Sequence, residues 1–118
     1  MISFPPGTKV WLCAGKTDMR KGIQGLGAIA QTVLNEDPLS GHVFVFRGRN
    51  GDRVKLLWWD RQGFCLFYKV MSKSTFIWPS AKNGKVSITA AQLASLLEGM
   101  DYRLTQAASP VKQPAKFL

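Results

Sequence analysis

Residues 42–59 read HVFVFRGRNGDRVKLLWW, and the turn at the centre of this stretch decides how the rest of the chain is read. Asn50-Gly51 between two apolar alternating runs is the strongest short-range hairpin signal, since a tight hairpin turn needs positive φ and these residues tolerate it. A two-residue turn there sets Arg49 opposite Asp52, Val45 opposite Leu56 and Val43 opposite Trp58. Opposed residues share a face of the sheet. One face is then Val43, Val45, Arg47, Val54, Leu56 and Trp58, apolar apart from its arginine, and must be core. The other carries His42, Phe44, Phe46, Leu57 and Trp59 far from the turn, with Lys55 and Arg53 near it. That second face has two readings. Either a helix covers Phe44, Phe46 and Trp59 while the cations solvate a projecting tip, or aromatics and cations interleave to stack bases and neutralise phosphates. Two amphipathic helices in the chain need a sheet to cover, which favours the first.

Outward from the hairpin, TKVWLC (residues 8–13) alternates as a first strand, and AGKTDMRKG follows as a loop in which Thr17 or Asp18 is placed to cap a helix. Met19, Ile23, Leu26, Ile29, Ala30 and Val33 recur at helical spacing, predicting a helix over 19–34. Pro38 ends it, because the residue before a proline is pushed out of the helical region. Beyond the hairpin, DRQG turns into a third strand, FCLFYKVM. STFIWP reads as a short further strand closed by Pro79, and AKNGK as a turn. Thr89 and Gln92 form a capping box opening a second helix, with Gly99 where a C′ glycine belongs. The order predicts an α+β fold: an antiparallel β-meander of three to five strands with two helices packed on it. It is read as a single domain over residues 1–104, followed by a polar, proline-bearing tail over 105–118 expected to be disordered.

Length and charge bound the function. A chain of 118 residues buries one core without staples. Its 16 lysines and arginines against 7 acids give a formal charge of +9, which favours a polyanionic partner, nucleic acid first. Cys13 and Cys65 lack CxxC spacing, and His42 is the single histidine, so no zinc site is expected. MISFPPGTK has no apolar signal region, and no run approaches the roughly 18 apolar residues of a membrane span. The expectation is a cytoplasmic protein with reduced thiols.

Catalytic chemistry finds little support. Gly15-Lys16-Thr17 suggests a phosphate loop, but the glycine required five positions earlier is Val10. What remains is a loop beside Lys16, Arg20 and Lys21 whose backbone amides could hold a phosphate oxygen. Asp18, Asp52, Asp60 and Glu98 each have a structural reading: helix cap, partner of Arg49, turn opener and helix end. His42 sits at a strand start with no neighbouring nucleophile and reads as a packed or hydrogen-bonded side chain.

The runs VWLCAGKTDMRKGIQGL, DPLSGHVFVFRGRNGDRVKLLWWDRQGFCLFYKV, FIWP and ITAAQLASLLEGMD together resemble the TnpB-type accessory protein of the insertion sequence sixty-six family, over residues 4–103. The resemblance implies the second open reading frame of a bacterial mobile element, in which a separate, larger protein is taken as the DDE transposase. It brings no catalytic residues and no cofactor. The expectation is a non-catalytic accessory protein of transposition that binds DNA, at element ends or without sequence preference. Arg47, Arg49, Arg53 and Lys55 would make the contact, with Lys16, Arg20 and Lys21 as a second patch. The alternative is an adaptor that binds the transposase or another accessory protein without touching DNA. It would use Phe44, Phe46 and Trp59 or the tail. No metal, membrane or small-molecule substrate is expected.

Overall fold

The computed structural model describes residues 3–80 and 84–105. Strand β1 (Val10–Lys16) leads into helix α1 (Ile23–Thr32), followed by β2 (Val43–Arg47), β3 (Arg53–Trp59) and β4 (Phe64–Val70). A fifth strand, β5 (Lys85–Ile88), precedes helix α2 (Ala90–Leu97) and a 3-10 turn at Tyr102–Leu104. The strands form one sheet in the order β4-β3-β2-β1-β5. This is an α+β domain with a mostly antiparallel sheet. It departs from a pure meander at two joints, since β1 and β2 run parallel and β5 pairs with β1 at the far edge instead of with β4. Parallel neighbours need a crossover rather than a tight turn, and α1 supplies it.

The hairpin register is the one the sequence implies, with Phe44 opposite Leu57, Val45 opposite Leu56 and Arg47 opposite Val54. The tip is broader than a two-residue turn. Gly48 N–H donates to the Arg53 carbonyl at 3.0 Å and Gly51 N–H to the Gly48 carbonyl at 3.1 Å, leaving Arg49–Asp52 as a four-residue loop. Register survives because a loop of two or four residues about the same centre pairs the same strand positions. Arg49 and Asp52 are therefore not a strand pair, and the cation nearest Asp52 is Arg53, at 3.9 Å.

Each face of the sheet has its own helix. On one, Val10, Leu12, Val43, Val45, Val54, Leu56 and Ile88 pack with Leu93 and Leu96 of α2. On the other, Cys13, Phe44, Phe46 and Leu57 pack with Leu26, Ala30 and Leu34, the inward face of α1 and the residue beyond its end. Phe44 and Phe46 are completely buried there, each contributing about 1.5–3 kcal/mol of hydrophobic stabilisation. The covering reading of the second face is thus the correct one for these two rings. Trp59 lies at the margin, half-buried, with its ring 5.0 Å from that of Phe64.

Three local expectations change. Helix α1 begins at Ile23 instead of residue 19, and neither Thr17 nor Asp18 caps it, since its N-cap is Gly22 with no side-chain bond. Asp18 instead holds Arg20. STFIWP is not a strand. Phe76 N–H and Trp78 Nε1 both donate to the Gly51 carbonyl, at 3.0 and 2.9 Å, so this segment braces the hairpin tip from the α2 side. The further strand lies later, at Lys85–Ile88, where a four-residue run was too short to carry a pattern. Helix α2 follows expectation: Thr89 and Gln92 form the reciprocal capping box, and Gly99 takes φ +78° just past the end. The tail beyond Thr105 lies outside the described residues.

Candidate functional site

The site is built by two departures from regular strand geometry. In β1 the register against β2 slips between Cys13, opposite Phe46, and Lys16, opposite Arg47. Such an irregularity redirects the strand and re-aims its side chains. Here it carries Lys16 and Thr17 alongside the base of the hairpin, where Thr17 N–H donates to the Arg47 carbonyl at 2.8 Å. Gly48 is the second device. A Cβ placed on it would lie 3.0 Å from Met19 Cγ and 3.2 Å from Arg53 Cβ, so the bare backbone lets the 17–22 loop seat against the hairpin without either side chain giving way.

The two basic segments meet as a result. A cleft of about 430 Å³ is lined by Lys16, Asp18 and Arg20 on one wall and by Arg49, Asp52 and Arg53 on the other. Arg20 is almost wholly exposed and grips Asp18 through two nitrogens, Nη2 to Oδ2 at 2.8 Å and Nε to Oδ1 at 3.0 Å. That guanidinium, helped by the Arg20 backbone N–H, holds the Asp18 carboxyl well below the usual carboxylate range. Arg53 donates from Nη1 to the Tyr68 hydroxyl at 3.0 Å, which fixes its reach from β3. Four cations and two carboxylates leave the cleft net positive, and both Lys16 and Arg49 are exposed.

Three other residues expected at the interface have different surroundings. Lys55 is buried, its Nζ donating to the Lys21 carbonyl at 2.9 Å and sitting 4.9 Å from the centre of the Tyr68 ring. It ties the start of α1 to the sheet and is not presented to a ligand. The Arg47 guanidinium lies 5.6 Å from the Trp78 ring centre and donates to the Gly48 carbonyl at 3.3 Å, so it braces the tip from behind. Lys21 is exposed but does not line the cleft. Tyr68 and Trp78, which orient Arg53 and Arg47, were not expected at all. An aromatic in an alternating strand carries no mark of the cation it will orient.

Elsewhere the titratable groups are engaged locally. Backbone N–H groups of Gln62 and Gly63 hold Asp60 below its ordinary value, as Arg103 does Asp101. His42 Nδ1 accepts the Lys9 N–H at 3.0 Å, the hydrogen-bonded role its sequence position suggests. Cys13 and Cys65 are free thiols, both pushed up chiefly by desolvation. Among the described residues no three His, Cys, Asp or Glu side chains gather as a metal site, and no helix is long and apolar enough to cross a membrane.

Residues 8–107 match the family described as IS66 Orf2 like protein. The chain belongs to that family. Relatives include two Sinorhizobium fredii strain NGR234 proteins. Uncharacterized protein y4hO is 45% identical over 106 residues, covering 90% of this chain and 92% of its own length. Uncharacterized protein y4jC is 32% identical over 116 residues, covering 98% of each chain. No solved structure matches. Membership in the IS66 Orf2-like family gives the chain an accessory role in insertion-sequence transposition. The cleft therefore sits on an accessory protein of a DNA-rearranging element.

Proposed function

We propose that this IS66 Orf2-like chain serves transposition by binding DNA through the cleft between the 16–20 loop and the hairpin tip, without itself carrying out strand chemistry. The observation that carries the reading is the convergence of Lys16, Arg20, Arg49 and Arg53, from segments some thirty residues apart, on one concave surface. Arginine and lysine side chains of this kind hold phosphate oxygens and position a protein on the backbone, while sequence is read by groups that reach base edges. Among the described residues no recognition helix projects beside the cleft, since α1 is spent covering Phe44 and Phe46. The contact is therefore electrostatic and weakly sequence-selective. A non-catalytic role is supported by the engagement of the acids: Asp18 is held by Arg20, Asp60 by turn amides and Asp101 by Arg103.

Fluorescence anisotropy on a short labelled duplex tests the binding. Affinity should drop by about two orders of magnitude between roughly 50 and 200 mM salt if about four phosphates are neutralised. Salt-independent affinity, or none at the low-salt end, rejects the reading. In parallel, incubation with Mg²⁺ or Mn²⁺ and element-end DNA should give no cleavage. Activity lost on substituting one carboxylate would overturn the non-catalytic part. Of the surface expected for the adaptor alternative, Phe44 and Phe46 are core, and Trp59 stands half-buried at the margin.

A further inference from the structure

Strand β4 ends the sheet, and among the described residues no strand or loop backbone pairs with its outer edge. Free edges recruit further strands, and proteins commonly blunt them with prolines, bulges, inward charges or short length. β4 carries one of these, the inward-facing Lys69, and otherwise runs seven residues, FCLFYKV, without proline or bulge and in unbroken register with β3. The opposite edge, β5, is only four residues long. One face of β4 is also apolar and open, and the other is partly covered. Leu66, Tyr68 and Val70 are exposed on the α1 side, which α1 does not reach. On the α2 side Phe67 borders a groove of about 460 Å³ shared with Phe4, Ala94 and Leu97.

We propose that β4 is a homodimer interface, in which a second copy of this chain adds its own β4 antiparallel across a two-fold axis near Phe67. The strand is its own complement in that arrangement. Leu66 faces Tyr68 of the other copy and Phe64 faces Val70, apolar against apolar on the α1 side, while on the α2 side Phe67 faces Phe67 above the groove with a Cys65–Lys69 pair on either side of it. Charge points to the same occupant. On a chain of formal charge +9, β4 carries one charged residue, Lys69, whose Nζ is already bound to the Leu97 carbonyl at 2.6 Å. Two such cationic chains can meet here with little repulsion. Arg53 lies beside Val70, at the end of β4 nearest the hairpin tip. Antiparallel pairing therefore sends the two clefts to opposite ends of the joined sheet, more than about 20 Å apart along strands rising ~3.4 Å per residue. That exceeds the ~8 Å screening length at physiological salt.

The test needs no DNA and is independent of the cleft reading. Sedimentation equilibrium over a concentration series should give twice the 13.1 kDa chain mass, falling toward the monomer on dilution. The outward-facing amides of residues 64–70 should gain hydrogen-exchange protection in step with that mass. Leu66→Lys with Val70→Lys, both on exposed positions, should abolish the dimer and leave the far-ultraviolet spectrum unchanged. A wild-type chain that stays monomeric, a dimer whose β4 amides exchange as freely as in the dilute protein, or a double variant that still dimerises would each overturn the proposal. Should the double variant fail to fold, the exchange measurement on the wild-type chain decides alone.

Discussion

Removing the two arginines of the hairpin wall, Arg49→Ala with Arg53→Ala, separates the binding contribution of the cleft from the stability of the fold. Arg49 is exposed on the tip loop. Arg53 has a hydrogen bond to Tyr68 and a distant partner in Asp52 at 3.9 Å. Surface contacts of this kind are worth about 0.2–1 kcal/mol, and the tip keeps its bracing from Arg47, Phe76 and Trp78. The double variant should therefore unfold in urea within about 1 kcal/mol of the parent. Its DNA binding should change far more. With four phosphates neutralised the parent's log–log salt slope is about −3.6, and with two it is about −1.8. Counterion release scales with the logarithm of salt concentration, so the defect should be largest at low salt. It should amount to roughly two orders of magnitude at ~50 mM and about one order at ~200 mM. Anisotropy titrations of both proteins on one duplex, at four or more salt concentrations, measure this directly. A variant that weakens equally at every salt concentration, or keeps the parental slope, refutes the assignment of these arginines to phosphate contact.

Other outcomes follow from the same geometry. Asp18→Asn should free Arg20 from its ion pair and tighten duplex binding in the same titration, with the slope staying at about −3.6 because Arg20 is already one of the four contacts. The Asp18 carboxyl is depressed in the folded chain. Its pairing therefore supports the fold above the unfolded value of about 3.9 and is lost only as pH falls through the lower folded value. Titration of Asp18 should add no change in duplex affinity between about pH 5 and 8; a rise there that vanishes in Asp18→Asn would contradict the pairing. Phe46→Ala empties a site that is completely enclosed and should cost about 3–5 kcal/mol by urea denaturation. A loss under about 1 kcal/mol would mean that α1 does not cover this ring. Gly51→Ala should cost about 1–3 kcal/mol in the same assay, because φ is +78° and the new Cβ would lie 3.3 Å from Arg47 Nη2.

The hairpin was legible in the sequence because everything that specifies it is local. Alternation of Val43, Phe44, Val45 and Phe46 against Val54–Trp59 fixes which positions face each other. Asn50-Gly51 fixes the centre of the turn, and the Thr89 and Gln92 capping box likewise announced α2 within four residues. The broader tip escaped notice because a four-residue loop keeps the same register, and what selects it is the 74–79 segment bonding to the Gly51 carbonyl. The direction of β1 against β2 could not be read locally either, since a strand pattern is the same run forwards or backwards. Where α1 packs settles it, and the same packing buries Phe44 and Phe46. The basic residues show the division most plainly. Sequence named seven cations, but charge has no periodicity that says which will find a neutralising or stacking partner. Only the assembled sheet put Lys55 against Tyr68 and the Lys21 carbonyl and Arg47 against Trp78. The slipped register of β1 and the bare backbone of Gly48 then brought Lys16 and Arg20 to face Arg49 and Arg53 across one cleft.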